Sequence, residues 1–191
     1  MTGLGGLTVV GLDLSPTAGI AQTHASNSEP RLSVQSVNAA GRPLHIQADT
    51  LQRAVMQACK VRPDVVVIEG TFSRPGGSDY QMHHIRACVT QWLFRQGIPY
   101  ADVQPSTLKV WATGSGATRG ENKVTKDKVC AGVVAMYGRF LHINPRDDDA
   151  CDAVAALTLG LAAYGQPLTE VPDTHSRAIR AVTWPTLGGT Q

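Results

Sequence analysis

The fold of this chain is set by residues 9–21, which read VVGLDLSPTAGIA. The first half is an apolar, β-rich run, Ser15-Pro16 marks a turn, and a second short run continues to His24. The alternating pattern at 31–37 favours a third strand, so the chain begins with an antiparallel meander. Asp13 then lies near the end of the first strand, where a buried carboxylate is costly without a partner. A turn-forming role before Ser-Pro is the alternative explanation for this aspartate.

The chain beyond the meander alternates helical and strand patterns. Residues 64–68 carry a β-branched run, which is typical of a central parallel strand buried on both faces. Residues 48–60 have a helical period, with Asp49 or Thr50 as the expected N-cap. Further helices are predicted at 80–96, 107–113, 126–137 and 149–164, and a short strand at 100–103. This order predicts an α/β fold with a mixed five-stranded sheet flanked by helices.

Length and composition are those of a globular protein with one main domain. The chain has 191 residues, of which 42% are apolar and 17% charged. We expect this domain to cover residues 1–164, and the Pro, Thr and Gly density of 165–191 predicts a loosely ordered tail. The four cysteines form no CxxC pair, which is typical of reduced thiols in the cytosol rather than of a zinc site. No apolar run reaches the ~20 residues of a membrane span, so we expect a cytoplasmic protein.

Acidic residues stand beside three separate hydrophobic elements. Besides Asp13, Glu69 closes the run DVVVIEG, and Asp149 and Asp152 open the stretch DACDAVAALTLGLAAYG. Residues three apart in a helix share one face, which can lie over the strand ends and complete a four-carboxylate cage. Carboxylates are hard ligands that suit Mg²⁺ or Mn²⁺. Two such ions, about 4 Å apart, suit phosphoryl transfer on nucleic acid.

The acidic run at 147–149 has a simpler explanation of its own. Asp147, Asp148 and Asp149 can cap a helix and complement its dipole, and for the run alone capping is the better interpretation. The spacing to Asp152 favours Asp149 as the ligand, with Asp148 as the alternative. Capping does not explain Asp152, which stands in an otherwise apolar segment.

Positive charge is concentrated in one part of the chain. The net charge is only +2, but the segment 104–139 holds six basic residues against two acidic ones. A basic stripe beside a carboxylate cluster is what a phosphate-backbone nuclease needs. A solvated helix face is the alternative interpretation of the same charges.

The ordered set of motifs resembles a known family. GLDLSPTAGIA, VVVIEGTF, PSTLKVWATGSGAT, KDKV and DACDAVAAL together resemble the RuvC-type Holliday-junction resolvases of bacteria and their phages. The resemblance extends over roughly residues 7 to 163. It implies the RNase H-like fold and a homodimeric, Mg²⁺-dependent endonuclease that nicks two opposing strands of a four-way DNA junction. It also implies a bacterial or phage-infected cell as the setting.

The resemblance assigns roles to particular residues. The catalytic acids fall on Asp13, Glu69, Asp149 and Asp152, and the functional lysines on Lys109 and Lys126. Lys123 competes with Lys126 because the loop that begins at Gly116 is longer than the family's usual run. The base-stacking aromatic falls on Phe72, where stacking is worth ~1–3 kcal/mol per base. Arg74 and Arg119 are further candidate DNA contacts.

Other functions remain open at the level of sequence. An actin-like phosphotransferase would need a second domain and Gly-rich phosphate loops, and a non-catalytic junction-binding protein would not need the four acids. A nuclease with broader preference for forks and flaps is the remaining alternative. Two symmetric nicks imply a homodimer. The apolar stripe of the helix at 80–96, which includes Ile85, Val89, Trp92 and Leu93, is either core or the dimer interface.

Overall fold

A mixed sheet of five strands forms the centre of the molecule. The computed structural model describes residues 6–24, 31–70 and 80–188. The strands lie in the order β3-β2-β1-β4-β5. Neighbours are antiparallel in the first three strands, whereas β4 runs parallel to both β1 and β5. The bounds are Val9–Asp13 (β1), Thr17–His24 (β2), Arg31–Asn38 (β3), Val65–Glu69 (β4) and Tyr100–Val103 (β5). The predicted α/β class and five-stranded sheet are confirmed.

Helices cover both faces of this sheet. They are Leu44–Ala58 (α1), Tyr80–Arg95 (α2), Pro105–Thr113 (α3), Lys126–Tyr137 (α4), Asp148–Ala163 (α5) and Asp173–Arg180 (α6). In β4, Val66 and Ile68 contribute to the core shared with α1 and α2, and Val65 and Val67 to the core on the opposite face. β4 is therefore buried on both faces, as its run of β-branched residues predicts.

Helix α5 lies unusually close to β1 and β2. Side-chain carbons added to Gly11 and Gly19 would overlap the backbone of α5 at Ala153 and Asp149. Only glycine permits this approach, because any Cβ would displace the helix. The close packing fixes where the first two turns of α5 lie relative to the end of β1.

Helix α1 begins four residues earlier than the sequence predicts. Pro43 is its N-terminal boundary residue, and neither Asp49 nor Thr50 caps it, because both lie inside the helix. Proline fixes φ near the helical value and needs no amide partner, so it starts a helix without a capping side chain. The predicted cap is therefore wrong.

The apolar stripe of α2 belongs to the core. Ile85, Val89 and Leu93 are fully buried and join the core cluster that contains Leu51 and Val55 of α1. Trp92 of the same stripe is half-buried against that cluster. The three buried residues cannot form a dimer surface, so that interpretation of the stripe is wrong for them.

Residues beyond 164 are ordered as far as the structure describes them. Helix α6 packs against α3, Ala178 is buried between them, and Leu168, Val171 and Trp184 pack against the same core cluster. The sequence predicts a loosely ordered tail here, whereas residues 165–188 include helix α6 and side chains that pack against the core. The helix escapes pattern recognition because it is eight residues long and buries only an alanine fully. A domain boundary at residue 164 stays a prediction.

None of the helices in the described ranges is long and apolar enough to cross a bilayer.

Candidate metal centre and basic cleft

Three carboxyl groups from three elements meet at one edge of the sheet. Asp13 is the last residue of β1 and Glu69 the last residue of β4, and these two strands are parallel neighbours. Asp152 comes from the second turn of α5, which crosses the same edge. One ligand oxygen from each of the three lies within 4.8 Å of the other two. The sequence expectation that these acids meet at the strand ends is thereby met in the geometry.

The neighbouring aspartates of α5 have separate contacts. Asp147 is the N-cap, since its side chain accepts a hydrogen bond from the Ala150 amide (3.0 Å) and another from the Ser36 hydroxyl (2.6 Å). Asp148 is paired with Lys126. Asp149 lies near enough to help raise the pKa of Asp13, but it is not one of the three residues whose ligand oxygens lie within 4.8 Å of one another. The capping interpretation therefore holds for Asp147, while Asp149 and Asp152 approach the carboxylates on the strands.

The electrostatics of the cluster favour a bound cation. Burial, followed by the charges of Glu69 and Asp152, raises the pKa of Asp13 well above its usual value. Burial and Asp152 raise the pKa of Glu69 to about 8, although Lys126 and Lys109 act in the opposite direction. Burial also raises the pKa of Asp152 to about 6. Ionised carboxylates this close and this poorly solvated repel one another unless protons or a cation offset the charge.

The donor set fits a hard divalent metal. All the available ligand atoms are carboxylate oxygens, which Mg²⁺ and Mn²⁺ prefer. Opposite oxygens around an octahedral Mg²⁺ are about 4.2 Å apart, given bonds of about 2.1 Å. The three oxygens lie within 4.8 Å of one another, so one ion could reach all three after the side chains move closer together.

A basic cleft opens beside the acids. It has a volume of about 640 Å³, and Glu69 and Asp152 share its lining with Lys109, Lys123 and Lys126. The pKa of Lys126 is raised, first by its hydrogen bond to Asp148. Both Lys109 and Lys126 lower the pKa values of Glu69 and Asp152, so their ammonium groups lie close enough to attract the same negative charge.

Only some of the predicted basic residues line the cleft beside the carboxylates. Lys109 comes from α3 and Lys126 from the first turn of α4, whose N-cap is Thr125. Lys123 lines the cleft from the preceding loop, but it does not act on the pKa values of the acids to the extent that Lys126 does. Arg119 is exposed on that loop. Phe72 and Arg74 lie outside the described residues.

One residue at the site is missing from the sequence-based set. Arg86 of α2 donates a hydrogen bond to the backbone carbonyl of Glu69 (3.0 Å) and is also paired with Asp102 of β5. Its side chain is only 15% exposed. The contact fixes the end of β4, where Glu69 leaves the sheet. The sequence holds no signal for this role, since an arginine on an amphipathic helix is normally solvated.

Relatives with related sequences were found, although no protein-family model matches the chain. The chain is 29% identical to the crossover junction endodeoxyribonuclease RuvC of Gloeobacter violaceus over 101 residues, which are 52% of this chain and 53% of that protein. The chain therefore spans about half the length of this relative. It is 28% identical to the RuvC protein of Synechococcus sp. (strain WH7803) over 156 residues, 81% of this chain and 92% of the relative.

Solved structures with the same fold include RuvC of Thermus thermophilus. That structure superposes with a TM-score of 0.64 at 21% identity and covers 84% of this chain and 98% of the Thermus chain. RuvC from the same organism in complex with a Holliday junction substrate gives a TM-score of 0.63 at 22% identity, over 79% and 90% of the two chains. The resemblance noted in the motifs is confirmed, and the fold is the RNase H-like fold of RuvC.

Proposed function

We propose that this RuvC-like chain is a DNA endonuclease that resolves four-way (Holliday) junctions by symmetric paired nicking. The observation that carries the proposal is the carboxylate cluster of Asp13, Glu69 and Asp152 beside a basic cleft. The relatives named crossover junction endodeoxyribonuclease support the reaction class, and the structural neighbour bound to a Holliday junction supports branched DNA as the substrate. Such an enzyme would act in DNA recombination and repair in the cytoplasm of a bacterial or phage-infected cell.

The carboxylates are proposed to hold the metal cofactor. Asp13, Glu69, Asp149 and Asp152 supply enough oxygens for two Mg²⁺ ions, and Mn²⁺ should substitute because it accepts the same hard ligands. Bound divalent ions would supply Lewis-acid stabilisation of the scissile phosphate and an activated water. The protein's own contribution is to fix the acids on rigid elements, since Asp13 and Glu69 end central strands and Asp152 lies on the closely packed α5.

The lysines are proposed to hold the DNA backbone and offset charge in the transition state. Lys109 and Lys126 face the carboxylates, so both can contact the scissile phosphate or its neighbour. Lys123 and Arg119 extend the positive surface along the loop that precedes α4. Phe72 is proposed to stack on bases near the junction centre, with Arg74 as an additional phosphate contact.

A homodimer is proposed because one carboxylate cluster can cut only one strand at a time. Two symmetric nicks require two such clusters related by a two-fold axis. Sedimentation of the full chain with and without a junction tests this directly, and a monomer in both states would contradict it.

The decisive experiment is cleavage of an end-labelled immobile four-way junction with Mg²⁺ or with EDTA. A linear duplex and a replication fork of the same sequences serve as controls, and Asp13→Asn is tested beside the parent protein. Paired, symmetric, Mg²⁺-dependent nicks near the crossover, absent in Asp13→Asn, would support the resolvase. Equal cutting of the fork would instead favour a nuclease with a broader choice of branched DNA. Binding without cutting in Mg²⁺ and Mn²⁺ would favour a non-catalytic junction-binding protein.

A further inference from the structure

The C-terminal helix α6 contacts the end of α3 through two basic side chains. Nδ1 of His175 lies 2.6 Å from the carbonyl oxygen of Trp111, and the Arg177 guanidinium donates to the carbonyl of Gly114 (2.7 Å). A carbonyl only accepts hydrogen bonds, so the His175 ring must carry a proton on Nδ1. Gly114 is the C-cap of α3 and has a left-handed φ of 72°. The Trp111 carbonyl, in the last turn of α3, and the carbonyl of the C-cap Gly114 thus obtain partners from α6.

Helix α6 is itself held firmly against the core. Ala178 is buried and joins the core cluster, and residues beyond α6 fold back onto the end of α5. The Tyr164 hydroxyl donates to the Pro185 carbonyl (2.7 Å), and its ring meets the Trp184 ring edge-on at 5.8 Å. The Trp184 indole also donates to the Ile179 carbonyl (2.8 Å). These contacts let α6 act as a fixed support rather than as a loose appendage.

Helix α3 is held by tertiary contacts, which include its buried Leu108 and Trp111 as well as its contact with α6. It has nine residues, and isolated helices of fewer than about 12–15 residues are marginal in water. Proline occupies its first turn, and no side chain caps its N-terminus. The orientation of α3 is therefore determined by tertiary contacts, and cationic groups at its C-terminus are favourable because of the helix dipole.

The same helix carries a residue of the basic cleft. Lys109 lies one turn before the end of α3 and shares the cleft lining with Glu69 and Asp152. Its carbonyl accepts a hydrogen bond from the Thr113 hydroxyl (2.8 Å), directly beside the Gly114 cap that Arg177 contacts. A shift or rotation of this last turn would move Lys109 relative to the carboxylates.

We propose that Arg177 and His175 are positioning residues, which hold α3 so that Lys109 faces the carboxylate cluster. The inference rests on the proposed nuclease function and adds a role for the segment that follows α5. Neither residue needs to touch DNA or metal for this role. Their effect on cleavage passes through Lys109.

The test compares single-turnover junction cleavage by Arg177→Ala, Arg177→Lys and the parent, all in the full chain. Arg177→Ala should cleave about tenfold more slowly, which is within the range caused by loss of residues that orient catalytic groups. Junction affinity, measured in Ca²⁺ with Asp13→Asn in the background, should change less than twofold. Arg177→Lys should recover most of the rate, since lysine also donates to a carbonyl. Arg180→Ala is the matched control, because Arg180 is exposed on the same helix and carries the same charge.

A double-mutant cycle with Lys109→Ala separates positioning from general destabilisation. If Arg177 acts through Lys109, Arg177→Ala should slow cleavage by less than twofold in the Lys109→Ala background. The same tenfold loss in both backgrounds, or no loss in the parent background, would overturn the inference. Thermal unfolding is followed in parallel, and a rate loss explained by a smaller folded fraction would also overturn it.

The cycle also distinguishes this inference from the proposed function. Absence of cleavage by the parent chain would overturn both. Cleavage by the parent with an unchanged rate for Arg177→Ala would leave the resolvase intact and remove only the positioning role. His175→Asn, which keeps one donor but alters its reach, should lie between Arg177→Lys and Arg177→Ala.

Discussion

The two sides of the cleft are built in different ways. The acidic side comes from the last residues of β1 and β4 and from α5, which lies so close to the sheet that glycine is required at positions 11 and 19. The basic side comes from α3, α4 and the loop between them, and the Lys126 side chain is 73% exposed. The acids therefore lie at the ends of central strands and on the closely packed α5, whereas the lysines lie on helices and a loop outside the sheet, and Lys126 extends into solvent. We therefore expect that replacing an acid nearly abolishes cleavage, whereas replacing a lysine leaves part of the cleavage rate.

The largest effect is expected for Asp152→Asn. The change removes one ligand charge from the cluster but keeps the shape of the side chain. Mutation of residues that only support metal ligands already lowers metal affinity or activity about 10–100-fold. We therefore expect the cleavage rate of Asp152→Asn to fall by more than about 100-fold. Mn²⁺ affinity, measured by calorimetry, should weaken in parallel. Asp147→Asn is the matched control on the same helix, because asparagine also caps helices well. Similar losses for both variants would contradict a specific metal role for Asp152.

Lys126→Ala should have the next largest effect and should separate the two candidate lysines. Lys126 acts on the pKa values of both Glu69 and Asp152, so its loss should slow cleavage about 10- to 100-fold. Lys123→Ala should slow it only a few-fold and should mainly weaken junction binding at higher salt, as expected for a backbone contact. Single-turnover rates and salt-dependent binding measure the two effects. A larger rate loss for Lys123→Ala would reverse the assignment.

The contrast between the two sides also explains which residues of the site can be predicted from the sequence and which cannot. Asp13, Glu69 and Asp152 stand out because each interrupts an apolar pattern, and burial of a charge is informative in itself. The choice between Lys123 and Lys126 depends on the path of the 114–125 loop, which no local pattern specifies. The pairing of Asp148 with Lys126, and the contact of Arg86 with Glu69, likewise join different elements, so a local pattern does not reveal them.

The secondary structure, too, can be predicted where the apolar pattern is clear and is missed where it is weak. All five strands and the helices from α2 to α5 lie close to their predicted positions, because each carries a recognisable pattern or run of apolar residues. The start of α1 at Leu44 and the whole of α6 are missed, since Pro43 starts one without a capping side chain and Ala178 alone is fully buried in the other. Contacts made by small residues leave little trace in a hydrophobic pattern.

Stability without metal should depend on pH because of the acidic side. The folded-state pKa values of Glu69 (about 8) and Asp152 (about 6) exceed their ordinary values of 4.5 and 3.8. Between about pH 4 and 8 the folded state then holds more protons than the unfolded state, so the free energy of unfolding falls as pH rises. Denaturant titrations in EDTA should detect this decline, and saturating Mg²⁺ should reduce it. Asp152→Asn should flatten the profile, and an unchanged slope would argue against coupling within the cluster.

The smallest effect is expected where the acidic helix meets the edge of the sheet. The Ser36 hydroxyl of β3 donates to the carboxylate of Asp147, the N-cap of α5, at an exposed position. Ser36→Ala removes this hydrogen bond but leaves the cap to the Ala150 amide in place, so the free energy of unfolding should fall by less than about 1 kcal/mol. The cleavage rate should change less than twofold, because α5 still packs closely on the sheet at Gly11 and Gly19. Ser33→Ala, on the same strand, is the comparison for loss of an unrelated hydroxyl. A large rate loss for Ser36→Ala alone would mean that the acidic side depends on peripheral contacts as much as the basic side does.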